Sequence, residues 1–387
     1  MALHSIEPWI PEEYSGPVIQ KINQLSAVES VGRSETMTTD VKHVPRSGGM
    51  GMAAIAKGGS YTEDATTDDE VLLTARKLGY AISFAEEDLA DTAGLVDVVN
   101  TKKLDWATSY AKYFDNATLG VNAAEAMGSG RPFTSVYKSI RTTDSGAGYT
   151  ADANYVLAGD SLGYVTFTIA TDLVTTLQNH GLAVGDRVVF GTITTTTGIT
   201  AGTTYYVQAV PSATTFKVAA TNGGAVIDLA TGDGSSISVT KLGVTYASLS
   251  RTLGLYETSD WFDPTRTIVI AAPSYLQYVR DVKDTQGRPI FQQGAGASAD
   301  TLFGYTVRWS LGARVSTAAT AAPTGNPLLI VGNQDLLIVG KRSGPETFAA
   351  DAAFGPGFNT DETKMKMRAR RGFAVGHPAG LAVLEAS

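Results

Sequence analysis

The chain has no cysteine among its 387 residues, which excludes disulfides and thiolate metal sites. Charge is sparse: Asp, Glu, Lys and Arg make up 18% of the residues, against roughly 25% in an average domain. What charge there is leans acidic, with a net charge of −8 and a sequence pI of about 5.1. That balance speaks against a generally basic nucleic-acid-binding surface. No apolar run approaches the ~20 residues of a membrane span. The start, Met1 to Pro8, lacks the basic region and apolar core of a secretory signal. Only four histidines occur, His4, His43, His180 and His377, and no two stand at metal-binding spacing.

Catalytic motifs are missing as well. Gly340-Lys341-Arg342-Ser343 resembles the end of a phosphate loop, but Asp335 stands where that loop needs glycine. Gly48-Gly49-Met50-Gly51 and Gly294-Ala295-Gly296 lack the strand and helix of a dinucleotide-binding turn. There is no Gly-x-Ser-x-Gly elbow, and the aspartates from Asp228 to Asp233 lack the ligand spacing of a calcium loop. No catalytic, cofactor-binding or metal-ligating residue emerges. The expectation is a protein that is not an enzyme and carries no cofactor.

What the sequence does contain is a reaching device, from Lys57 to Val121. A polar, acidic loop holds Glu63, Asp64, Asp68, Asp69 and Glu70. An alternating strand follows, Val71 to Phe84, in which Leu72, Thr74, Arg76, Leu78, Tyr80, Ile82 and Phe84 share one face by the period of two. Ser83 with Glu86 makes a capping-box pattern that opens a helix at Glu86. From about Gly94 to Val121 a single apolar stripe runs through Val99, Trp106, Tyr110, Phe114 and Ala117. At 1.5 Å per residue it spans about 40 Å. Upstream, residues 47–52 (with Gly48, Gly49, Met50 and Gly51) form a flexible tip between two extended segments, and residues 1–35 form an apolar arm with Pro8, Pro11 and Pro17. Two placements of that arm stand open: on its own subunit, or under a neighbour.

Residues 144–243 change character. Charge thins and short alternating runs appear at 164–169, 187–190, 204–210, 215–219 and 236–239, separated by turn signals such as Gly185-Asp186 and Asn222-Gly223-Gly224. This predicts a small all-β barrel or sandwich inserted into an α/β chain. The parent pattern resumes with a helix at 246–253, a buried strand at 267–273, a helix capped by Ser274, and apolar strands at 328–332 and 336–339. Lys364, Lys366, Arg368 and Arg370 alternate with Met365, Met367 and Ala369, a strand with one basic side. The acidic loop and this basic strand admit two readings. They are solvated faces, or they are an intersubunit contact in which charge sets register and partner choice.

The order of these parts resembles the HK97-fold major capsid proteins of tailed double-stranded DNA phages. Ala54 to Asp64, the strand Val71 to Phe84, the capped Glu86 to Asp91 and the long helix resemble that family's E-loop and spine helix. Ala271 to Leu276 with Lys283 to Phe291 resembles its axial-domain helix and the run after it. Leu302 to Val307 resembles a leucine-glycine-x-proline-valine step, with Thr306 in place of proline. Met367 to Val375 and Pro378 to Leu384 resemble its closing strands.

The resemblance covers about three quarters of the chain. It implies an α+β, HK97-like fold with an N-arm at 1–35, an E-loop region at 36–85, a spine helix and start of the core at 86–143, an all-β insertion domain at 144–243, an axial domain at 244–330 and a return to peripheral strands at 331–387. It implies a structural subunit that self-assembles into hexamers and pentamers of an icosahedral head, assembled in the host bacterial cytoplasm and located in the virion. Its partners would be portal, scaffolding and decoration proteins, with DNA held by enclosure and no membrane. An acidic subunit suits a container for packed DNA. An encapsulin-type compartment shell, or a phage tail or decoration protein, is the alternative. Some members join Lys to Asn covalently; Lys42, Lys57 and Asn359 carry no motif that assigns this.

Overall fold

In a computed structural model of the chain, the structure is described for residues 25–49, 52–61, 68–88, 98–193, 198–230, 237–283, 286–294, 299–350 and 360–386. Residues 1–24 of the predicted arm, Leu95 of the predicted stripe, and Asn359 lie outside these residues.

Two sheets and one long helix make the main body. The helix, Val98–Leu119, is set by its aromatic stripe. Trp106, Tyr110, Phe114 and Phe133 follow one another at centroid spacings of 5.5, 6.0 and 5.8 Å, and Phe133 meets Phe373 at 6.3 Å. This ladder fastens the helix to a four-stranded sheet in the order Arg33–Thr36, Leu337–Ala350, Glu362–Val375, Arg76–Ala85. A seven-stranded sheet has the order Phe291–Gln292, Thr301–Leu302, Tyr305–Trp309, Thr267–Ala271, Leu328–Asn333, Leu381–Glu385, Tyr155–Leu157. Its central strands are buried along their length, as their unbroken apolar runs require.

Two neighbouring polar residues on the long helix organise what surrounds it. The Asp115 carboxylate, 2% exposed, accepts hydrogen bonds from Ser26 Oγ (2.5 Å), Ser310 Oγ (2.6 Å), and the amides of Ala27 (2.9 Å) and Val28 (3.3 Å). It thereby joins the start of the short helix Ala27–Val31 to the end of a strand of the second sheet. Asn116 donates to the carbonyls of Gly312 and Arg314, both at 2.9 Å, and accepts from Ser316 Oγ and the Thr320 amide. Glu29 ties the same short helix to Tyr110 (2.9 Å) and to the buried Arg371 (2.6 Å).

The β-rich segment is a closed six-stranded barrel with its own core, which includes Val165, Phe167, Phe190, Val207, Phe216 and Val239. Its first and last strands, Gly159–Thr168 and Ile237–Leu242, pair with each other, so the chain enters and leaves at one place. There the Gly243 amide donates to the Ala158 carbonyl at 3.3 Å. The barrel begins later than residue 144: Tyr155–Leu157 is an outer strand of the seven-stranded sheet, and Val156 and Ala158 belong to the main core. Because the ends meet, joining Ala158 to Gly243 through two or three glycines is expected to leave the main body folded. Circular dichroism and a single cooperative melt check this; an insoluble or molten product would show that the body needs the barrel.

Several local expectations change. The predicted strand 71–84 is two strands, Asp69–Thr74 and Arg76–Ala85, broken at Ala75, whose amide donates to the Asp40 carbonyl at 2.8 Å. The break inverts the alternation, so Leu73 is buried and Leu72 exposed. Ser83 caps nothing, because it lies inside the second strand opposite Lys364. Ser274 has helical backbone angles and its hydroxyl makes no cap bond. The final strand Leu381–Glu385 does not return to the sheet of Leu337–Ala350; its backbone pairs with Leu328–Asn333 on one side and Tyr155–Leu157 on the other, and its apolar side chains join the main core.

Candidate assembly surface

The strand Glu362–Val375 has two unlike faces. Met365, Met367, Ala369 and Phe373 are buried, toward the long helix. Lys364, Lys366, Arg368 and Arg370 point the other way. On the neighbouring strand Lys364, Lys366 and Arg368 stand opposite the small Ser83, Ala81 and Gly79, while Arg370 stands opposite a further cation, Lys77. The result is a flat basic strip on the open face of the sheet.

Its cations have partners within the subunit. Arg370 reaches Asp40 at 2.7 Å, and Arg342 shares that carboxylate. Arg368 pairs with Glu346 at 3.2 Å and lies over the Phe348 ring at 4.6 Å. Lys364 pairs with Glu362 at 3.5 Å. Lys366 meets the Phe348 ring at 5.5 Å. Exposed pairs of this kind contribute about 0–1 kcal/mol each, so they orient the strip more than they neutralise it.

Asp69 and Glu70 open one strand of a two-stranded ribbon, Val41–Arg46 against Asp69–Thr74, and Asp68 immediately precedes it. Glu63 and Asp64 fall outside the described residues. Asp68 is exposed, and its carboxylate accepts weakly from the Gly48 amide at 3.5 Å. Asp69 is ion-paired with Arg46. The Glu70 amide first, and then the Arg46 guanidinium, hold its carboxyl below the usual carboxylate range. Glu70 meets His43 at 2.8 Å. At the tip, Gly48 and Gly49 are exposed and Gly49 has φ +82°; Met50 and Gly51 lie outside the described residues. Every described residue from 52 to 61 is exposed. Among the described residues, the ion pairs of Asp69 and Glu70 are with Arg46 and His43, and those of the basic strip are with Asp40, Glu346 and Glu362.

Sequence reasoning missed Arg46, Asp40, Asp144, Glu346 and Phe348. Each is a lone residue whose partner is far away in the chain, and no spacing announces it. Missed too is an apolar groove of about 620 Å³ between the long helix and the inner face of the sheet, where Trp106, Tyr110 and Tyr113 face Leu78, Ile82 and a 76% exposed Tyr80. Among the described residues no cluster of three His, Asp or Glu is placed to hold a metal, and no helix is long and apolar enough to cross a membrane.

A family model described as the phage capsid family matches residues 163–386, more than half of the chain. The chain belongs to the phage capsid family. It is a structural major capsid subunit rather than an enzyme; it assembles with copies of itself into a capsid, and its place is the virion. None of the curated proteins matches the sequence.

Solved structures give the fold. The chain is similar to a structure from Mycobacterium phage Ogopogo at 13% identity and a TM-score of 0.60, with 100% of each chain covered. It is similar to one from Mycobacterium phage Bobi at 12% identity and a TM-score of 0.58, covering 99% of this chain and 97% of the other. The capsid of the native GTA particle matches at 13% identity and a TM-score of 0.57, with both chains fully covered. The α+β, HK97-like fold expected from the sequence is thereby the fold of this capsid protein.

Proposed function

We propose that this capsid protein builds the hexamers and pentamers of an icosahedral head around double-stranded DNA, and that the acidic base of its E-loop seats on the basic strip of a neighbouring subunit. The basic strip is the observation that carries this reading. It is a row of four cations on a sheet face, on the side away from the long helix and only partly balanced by Asp40, Glu346 and Glu362, in a subunit that must bind copies of itself. The acidic set of Glu63, Asp64, Asp68, Asp69 and Glu70 is its complement in charge, and Asp69 and Glu70 begin a strand of the two-stranded ribbon. Charge complementarity of this kind fixes register and excludes wrong partners more than it adds affinity.

The barrel is an insertion that faces outward and decorates or steadies the particle; its single point of attachment supports this. Portal, scaffolding and decoration proteins are the further partners, and assembly takes place in the host cytoplasm.

The test is the double reversal Arg368→Glu with Arg370→Glu. Closed particles should vanish from negative-stain fields while the subunit keeps its circular dichroism spectrum. A compensating Asp68→Lys with Glu70→Lys should restore part of the yield. A normal particle yield from the double reversal overturns the contact.

A further inference from the structure

The four-stranded sheet has two edges of unlike design. On one side the strand Leu337–Ala350 is blunted. Arg33–Thr36 covers it only as far as Lys341, and beyond the covered part it carries Gly344, Pro345 and two register shifts. Proline and irregular pairing are devices that keep an exposed edge from recruiting another strand. On the other side the strand Arg76–Ala85 runs for ten residues without a proline and pairs with Glu362–Val375 without a register shift. Among the described residues no strand pairs with its outer edge. A regular edge of that length offers a row of unpaired N–H and C=O groups to another chain.

The residues of this strand select the chain that fits. Leu78, Tyr80 and Ile82 line the apolar groove against Trp106, Tyr110 and Tyr113, with Tyr80 largely exposed. Gly79, Ala81 and Ser83, on the opposite face by alternation, are small. Arg76 and Lys77 start the strand, and Glu86 and Glu87 follow its end. A strand with cations at one end and anions at the other is complementary to itself when turned end for end. An antiparallel copy centred on Ala81 or Ile82 brings Arg76 and Lys77 of each chain beside Glu86 and Glu87 of the other. It also keeps Tyr80 and Ile82 of both copies on the groove side of the joined sheet. Opposite charges across paired strands are favourable and like charges are not, so a parallel arrangement, with cation beside cation, is disfavoured. Arg76 already holds Glu125 at 2.6 Å, which makes Lys77 the cation to test.

We propose that Arg76–Ala85 is a self-recognising edge. Two subunits related by a two-fold axis join their sheets through it in antiparallel register, and each closes the other's apolar groove with Tyr80. The contact is isologous, so one surface serves both partners. It rests on the assembly of the subunit with copies of itself and is independent of the seat on the basic strip.

Assembled particles test it, first with the wild-type chain. Amides of Arg76–Ala85 should exchange about tenfold more slowly in particles than in unassembled subunits. The identity of the occupant is then read with cysteine, which the natural chain lacks. Facing residues of antiparallel strands stand about 4.5–5.5 Å apart at Cα, a separation that a disulfide spans. Of Ala81→Cys and Ile82→Cys, made separately, at least one should run as a covalent dimer after copper-phenanthroline oxidation of particles, while Ala349→Cys on the blunted edge stays monomeric. Lys77→Glu should lower particle yield, and adding Glu87→Lys should restore it. Unchanged exchange on assembly overturns the edge contact. Slowed exchange with no dimer from either cysteine also overturns it, because another segment then fills the edge. A double charge variant no better than Lys77→Glu alone removes the antiparallel register and with it the proposal. Normal particle yield from the Arg368 and Arg370 reversal removes the seat on the basic strip and leaves this edge standing.

Discussion

Asp115→Ala should destabilise the isolated subunit by about 3 kcal/mol, read as a shift in the urea midpoint at constant slope. The alanine leaves Ser26 Oγ, Ser310 Oγ and two backbone amides without their acceptor at a buried position. Each unmade buried donor costs about 1–3 kcal/mol, and the relief of no longer burying a carboxylate offsets part of the sum. The loss is also local. It frees the helix Ala27–Val31 and should speed exchange there before the sheets respond.

The pH dependence has a definite sign. Burial raises the Asp115 carboxyl above its ordinary 3.8, and the four donors pull the other way. A raised folded value means that the linked stability is fully present below 3.8 and declines as pH rises through the folded value. The gap between wild type and Asp115→Ala should therefore widen as the pH falls from 7 toward 4. A gap that narrows over that range would show that the carboxylate is better stabilised folded than unfolded.

Glu385→Ala should cost a similar amount, about 3 kcal/mol, at the end of the last strand. The Glu385 carboxylate is buried and accepts from Tyr137 Oη (2.7 Å), Tyr155 Oη (2.8 Å) and Asn326 Nδ2 (2.8 Å). Burial first, then the Glu385 carboxylate, pushes the Tyr137 phenol up to about 12. Stability linked to that phenol is present below its ordinary 10.0 and is lost as the pH rises through about 12. In Glu385→Gln the charge is gone and the phenols should ionise earlier. Absorbance at 295 nm during alkaline titration reads this directly, and an unmoved midpoint would assign the shift to burial alone.

Much of the architecture was legible because it is written in periods. The helix Val98–Leu119 follows from one aromatic stripe, and the barrel strands Arg187–Phe190 and Thr215–Ala219 follow from alternation between turn signals. Leu173–Thr176 escaped notice because four residues with Leu and Val adjacent show no alternation. Leu337–Ala350 was legible only as a short apolar strand at 336–339. It runs on through two register shifts, and its proline is tolerated because the neighbouring strand Arg33–Thr36 pairs only as far as Lys341.

The assembly surface was half legible. The basic strip is a sequence pattern, whereas its partners Asp40 and Glu346 come from 330 and 22 residues away in the chain. The same limit hid Asp115, Asn116 and Glu385, single polar residues whose meaning depends on what folds onto them.

The two-faced strand Glu362–Val375 also bears on how the subunit reaches its fold. A slip of one residue in its pairing would turn every side chain over. Four cations would then be driven against the aromatic helix, and Met365 and Met367 would be left in water. Burying unpaired charge costs several kcal/mol per ion, so the shifted pairing is rejected during folding. Lys364, Lys366, Arg368 and Arg370 thus proofread the pairing of their own strand.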